Sequence, residues 1–151
     1  MIIDGNGDNG IEAITVDKDA MTLYQFKFPD KEKNIEKAID EKNVLKMFNG
    51  YKKLTSQRKP RIGNDNFLNF REVIKERNFF DHTIEFVVFN NSFSQPAEDV
   101  LENEISEIKE TTGNQIKYKV IQQKNICDIY DRMQKKLRID RSMQGTNGCY
   151  F

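Results

Sequence analysis

Two short runs with a two-residue period constrain this chain most. Ile11 to Val16 and Met21 to Phe28 are separated by Asp17-Lys18-Asp19, a polar turn sequence. Two such runs joined by a short polar link predict an antiparallel hairpin. Side chains alternate across a strand, so Leu23, Gln25 and Lys27 share one face and Tyr24, Phe26 and Phe28 the other. The aromatic trio is expected to face the core. Gln25 and Lys27 then lie on the opposite face, beside Glu12 at the start of the first strand. A neutral amide, an ammonium and a carboxylate gathered at one end of a hairpin ask for a chemical reason.

The rest of the chain has a three- to four-residue apolar period in several places. Ile35, Ala38, Ile39, Leu45 and Phe48 predict a first helix that Asn49-Gly50 breaks or ends. Phe67, Phe70, Val73 and Ile74 predict a second. Thr83 to Phe89 is a nearly unbroken apolar run, as in a strand covered on both faces. A third helix starts at Ser94 or Gln95, carries Pro96 in its first turn and Val100, Leu101, Ile105 and Ile108 as its stripe, and ends at Gly113-Asn114. Ile116 to Ile121 is a further strand, and Ile126, Ile129, Tyr130, Met133 and Leu137 mark a last helix. The order is β-β-α-α-β-α-β-α. Strand–helix–strand alternation in the second half predicts parallel pairing. The fold class is therefore α/β: a mixed central sheet, an N-terminal antiparallel hairpin plus parallel strands, flanked by helices on both faces.

Bulk properties narrow the function. A length of 151 residues suits one domain with a real core. The formal net charge is zero, which disfavours a wholly basic nucleic-acid binder but leaves room for a local basic patch. No apolar run reaches the roughly 18–20 residues of a membrane span, and the N-terminus lacks the pattern of a signal peptide. Cys127 and Cys149 are far apart and neither has a partner at a zinc-ligand spacing, so a reduced, cytoplasmic protein is the simplest expectation.

Phosphodiester hydrolysis would use such a constellation. A hard divalent cation, Mg²⁺ or Mn²⁺, takes oxygen ligands and activates both phosphate and water. Glu12 would be the carboxylate ligand, and Gln25 a neutral oxygen ligand or hydrogen-bond partner. The Phe26 carbonyl would add one more ligand. Lys27 would stand near the attacking water and the scissile phosphate.

An acid at a strand start followed by Gln25-Phe26-Lys27 on the next strand resembles the PD-(D/E)XK nuclease superfamily in its Gln-x-Lys form, as in type IV restriction-like endonucleases. Three segments resemble the N-terminal region of abortive-infection phage-resistance (AIPR) proteins: Asp8 to Ile14, Leu23 to Phe28, and Lys46 to Leu54. Ile116 to Val120 and Ile126 to Tyr130 are compatible with it, so the resemblance covers most of residues 4–137. It implies a restriction-endonuclease-like nuclease domain over residues 1–139, with an irregular tail over 140–151. It further implies Glu12, Gln25 and Lys27 as catalytic residues, Mg²⁺ or Mn²⁺ as cofactor, DNA as substrate, and a role in phage defence or restriction. Family members usually carry Asp where this chain has Glu12. They also have a helix before the first strand, often with another acid of the metal site; here that helix is expected to be absent.

Lys52, Lys53, Arg58, Lys59 and Arg61 are the densest basic stretch and the expected nucleic-acid contact; a solvated charged face is the plainer reading. Asp4 and Asp8 could serve as substitute metal ligands, but in a glycine-rich loop the plainer reading is turn residues. His82 has no evident partner in the sequence. Two other roles fit the same residues: a nuclease fold that binds nucleic acid without cutting it, and an oligomerising unit in which an exposed apolar patch forms a homodimer.

Overall fold

The structure, a computed structural model, describes residues 1–28, 37–56, 63–77, 79, 81–88 and 92–145. Its element order is that expected: β1 (Ala13–Asp17), β2 (Ala20–Lys27), α1 (Glu41–Thr55), α2 (Asp65–Glu76), β3 (Asp81–Val88), α3 (Gln95–Thr112), β4 (Ile116–Gln122) and α4 (Gln123–Gly145). The four strands form one sheet in the order β1-β2-β3-β4. β1 and β2 pair antiparallel, whereas β2–β3 and β3–β4 are parallel. A parallel neighbour cannot be reached by a tight turn, so each parallel step carries helices in its connection: α1 and α2 before β3, α3 before β4.

The hairpin turn places Lys18 at φ 50°, the left-handed region that few side chains favour. Ile14, Met21, Leu23, Ile84, Phe86 and Val88 are buried on one sheet face. They join Val44, Met47, Phe48, Tyr51 and Leu54 of α1, Phe67 and Phe70 of α2, and Ala97, Leu101 and Ile108 of α3 in a single core cluster. Truncating one of its larger aliphatic members to alanine costs about 2–5 kcal/mol. The other face is more open: Thr15, Phe26, Lys117 and Lys119 are exposed and Tyr24 is half-buried. β3 is accordingly buried on both sides only at its end, at Phe86, Val87 and Val88.

This reverses one expectation. The period of β2 is as read, but its inward face carries Met21, Leu23 and Gln25, while Phe26 and Phe28 are exposed. Alternation fixes which residues share a face, not which face is inside. Here Ile84 and Phe86 of the adjoining strand decide the matter, because they pair with Leu23 and Gln25.

Helix limits follow from caps. Asp40 ends the preceding segment and caps α1 by accepting from the Asn43 N–H, so Ala38 and Ile39 precede the helix, and Ile39 instead bridges Phe93. Nor does Gly50 end α1, which runs on to Thr55. Asn64 and Ser94 cap α2 and α3 in the same way, and Gly113 closes α3 at φ 75°. α4 continues through Gly145, past the expected limit of the folded part at residue 139. Its sequence there holds no proline and no glycine before Gly145. Ile35, Phe80 and Phe89 lie outside the described residues.

Candidate functional site

The site is built from the glycine-rich loop before β1, the end of β2 and the outer side of α1. In the loop, Gly7, Asn9 and Gly10 have positive φ values of 86°, 56° and 83°. Asp8 is nearly buried; its Oδ1 accepts from the Gly10 N–H at 2.8 Å, the turn role expected of it, and lies 3.2 Å from Lys46 Nζ. A Cβ on Gly10 would lie 2.8–2.9 Å from Lys46 atoms, backbone included. On the helix side, a Cβ on Gly50 would collide with the Asn9 carbonyl oxygen and meet Ile11 at 3.0 Å. Two glycines, one on each partner, let the loop lie directly against α1.

Glu12, Gln25 and Lys27 do come together at the end of this hairpin. Glu12 Oε2 accepts from the Phe26 N–H at 2.7 Å, and its Oε1 lies 3.5 Å from Lys27 Nζ. Both side chains keep a path to solvent, at 15% and 30% exposure. Gln25 is fully buried. Its Nε2 donates to the Gly10 carbonyl at 3.1 Å and the Asn43 carbonyl at 3.3 Å, which ties loop, sheet and α1 at one point. Its Oε1 has no hydrogen-bond donor among the described residues. A buried acceptor left alone costs about 1–3 kcal/mol, so this oxygen asks for a ligand. The position is the carboxyl end of parallel strand β2, where open α/β sheets place their ligands.

A hard cation fits this donor set in kind. Glu12 supplies anionic oxygen, Gln25 Oε1 a buried neutral oxygen without a donor, and Phe26 a main-chain carbonyl. Among the described residues no three His, Cys, Asp or Glu side chains converge as a metal-binding group, here or elsewhere, so Glu12 would be the single anionic ligand. Cys127 is an exposed free thiol.

Of the five basic residues, the two that are described, Lys52 and Lys53, point apart. Lys52 turns to α3, 2.9 Å from both Glu104 and Glu107. Partial burial pulls its ammonium pKa down, but hydrogen bonds and charge from Glu107 and Glu104 outweigh that and hold it above the ordinary lysine value. Lys53 faces the loop and donates to Asn9 Oδ1 at 2.7 Å. Arg58, Lys59 and Arg61 lie outside the described residues. Lys42 and Lys46, missed by counting charge density along the chain, join Lys53 around a groove of about 390 Å³ with Asn9, Leu45 and Asn49. The spacing 42, 46, 49, 53 was a legible helical stripe.

His82 is not without partners. Its Nε2 is 3.0 Å from the Phe79 carbonyl, which can only accept, so Nε2 carries the proton and Nδ1 accepts from the Tyr51 hydroxyl at 2.8 Å. Asn114 Nδ2 donates to the same hydroxyl at 3.4 Å. Burial pushes the Tyr51 pKa up and the Asn114 contact offsets part of that. This buried chain lies at the start of β3, the opposite end of the sheet from Glu12. No helix among the described residues is long and apolar enough to cross a membrane. Comparison of the chain with protein-family models, curated sequences and solved structures finds no match.

Proposed function

We propose that this chain is a metal-dependent deoxyribonuclease domain of the PD-(D/E)XK type in its Gln-x-Lys form, resembling AIPR proteins and acting in phage defence or restriction. One observation carries the reading. A carboxylate and an ammonium 3.5 Å apart share the end of a hairpin with a buried amide whose oxygen has no donor. The hairpin's second strand continues into a parallel sheet, the setting a restriction-endonuclease-like fold would supply.

Glu12, Gln25 Oε1 and the Phe26 carbonyl would hold Mg²⁺ or Mn²⁺. When bound, the cation polarises the phosphate and makes the attacking water more acidic. In the reaction a water oxygen bonds to phosphorus, the bond from phosphorus to the leaving sugar oxygen breaks, and one water proton ends on that oxygen. Lys27 remains an ammonium through these steps. Its Nζ donates to a phosphate oxygen, where negative charge grows in the transition state. Glu12 holds the Lys27 ammonium from one side, and the Phe26 N–H in turn fixes Glu12. The amide nitrogen of Gln25 has a separate, positioning role, since its two donated bonds lock Gly10 and α1 against the strand.

The test is cleavage of plasmid and single-stranded DNA with Mg²⁺ or Mn²⁺, comparing wild type with Lys27→Ala and Glu12→Ala. Removal of Lys27 is expected to slow cutting about 10²- to 10³-fold, the scale of losing one transition-state donor. Cutting that survives both substitutions overturns the assigned site. Folded protein that binds DNA but does not cut would mark the domain as a nucleic-acid-binding module instead.

A further inference from the structure

We infer that the outer lysine stripe of α1, Lys42, Lys46 and Lys53, is the track that carries the phosphate backbone of a nucleic acid to the hairpin site. The inference rests on the nuclease reading for its substrate class, but not on catalysis.

The three lysines, with Asn49 between them, recur at steps of four, three and four, which a helix of 3.6 residues per turn places on one narrow side. From Lys42 to Lys53 the stripe is about 16 Å long at 1.5 Å per residue. A duplex presents a phosphate about every 3.4 Å per strand along its axis, so the stripe runs past roughly five of them. It borders an open groove, the form that suits a backbone rather than a small ligand.

Two of the ammonium groups are held in place. Lys46 Nζ lies 3.2 Å from Asp8, and Lys53 Nζ donates to Asn9 Oδ1 at 2.7 Å. An ammonium has three donors, so each still has two to offer outward. Lys46 also keeps half of its side chain exposed, at 52%. These anchors connect the groove to the site: Asp8 binds the Gly10 N–H, and the Gly10 carbonyl accepts from Gln25.

The opposite flank of α1 explains why a polyanion would choose this side. Lys52, about 100° around the helix from Lys53, is taken up by Glu104 and Glu107. They belong to α3, which carries six acids (Glu98, Asp99, Glu102, Glu104, Glu107, Glu110) against Lys109 alone. That helix repels a phosphate backbone. The acids nearest the stripe in sequence, Asp40 and Glu41, stand at the helix start, where Asp40 is tied to the Asn43 N–H.

The experiment is equilibrium binding of a short fluorescent DNA duplex without divalent metal, so no cutting occurs, over about 50 to 200 mM salt. The variants are Lys42→Ala, Lys46→Gln and Lys53→Ala, singly and combined, with Lys117→Ala plus Lys119→Ala on the open sheet face as the comparison. Circular dichroism confirms that each is folded. Each stripe variant should lower the steepness of log affinity against log salt by about 0.9, and the triple variant should weaken binding at least about tenfold. The comparison pair should change it less than about twofold. The inference is overturned if the triple variant binds as wild type does, or if the comparison pair costs as much. It also falls if polyglutamate of equal charge displaces the duplex as well as unlabelled DNA does, since the stripe would then be a general polyanion surface. DNA bound through the stripe by a protein that never cuts would sustain the track while removing the catalytic reading.

Discussion

Gly50 lies inside α1, where an exposed glycine ordinarily costs about 1 kcal/mol relative to alanine. Propensity alone therefore says that Gly50→Ala should stabilise the protein. The surroundings say otherwise, because the added carbon would strike the Asn9 carbonyl and the Ile11 side chain. The Asn9 carbonyl belongs to a loop packed along the helix and has little room to retreat. Overpacking of this kind costs about 1–3 kcal/mol, enough to reverse the sign. Gly50→Ala is expected to lower the urea midpoint, and a higher midpoint would show that the loop moves freely. In the sequence, Asn49-Gly50 carries the signature of a helix end; no local pattern distinguishes that from a glycine required by a loop forty residues earlier. Gln25 teaches the same lesson in another form. Its phase with Lys27 was legible from alternation, but its burial was not, because the carbonyls that satisfy it belong to Gly10 and Asn43.

At the scale of elements, caps were the most legible feature and boundaries followed them. Ser94, Pro96 and Gly113 frame α3 by local chemistry alone, and the structure uses all three as read. The start of α1 is not legible in the periodicity, because Ala38 and Ile39 continue its apolar rhythm while Asp40 stops the helix from starting earlier. Besides the Gln25 bond to Asn43, α1 is tied to the sheet by a contact between residues 31 apart, Tyr51 to His82. Replacing Tyr51 with Phe keeps the ring but leaves His82 Nδ1 buried without a donor, at a cost of about 1–3 kcal/mol. The pH dependence has a definite sign. Burial raises the folded-state pKa of Tyr51 above its unfolded value near 10. The neutral phenol thus contributes stability that is fully present below about pH 10 and lost as pH rises through the folded value. Urea unfolding should show Tyr51→Phe well below wild type at pH 8, with the gap narrowing above about pH 10. A constant gap would mean that Tyr51 does not titrate with folding.

The whole molecule has zero formal charge, yet its charges are sorted in space. Composition could not reveal this, since lysines and acids alternate along the chain and only the packing of α1 against α3 separates them. Adjacent residues make the clearest case. Lys52 and Lys53 belong to one basic run in the sequence, but the helix turns the first toward Glu104 and Glu107 and the second toward Asn9. Their substitutions should therefore separate two properties that charge counting would merge. Lys52→Ala removes a doubly paired ammonium and leaves two acids of α3, Glu104 and Glu107, without their counter-charge from α1. Exposed pairs contribute little, and this one is partly screened, so the expected loss of stability is about 0.5–1 kcal/mol. The loss should shrink in high salt, where the Debye length falls to about 3 Å at 1 M. Because the paired Lys52 ammonium titrates above its unfolded value, its contribution persists below about pH 10 and fades only beyond it. DNA affinity, in contrast, should change less than about twofold in Lys52→Ala, while Lys53→Ala weakens it. Measuring urea stability and duplex binding for both single variants decides the matter. Equal effects on binding would mean that a polyanion senses the helix as one diffuse charge, and that the division between its two flanks has no consequence for the partner.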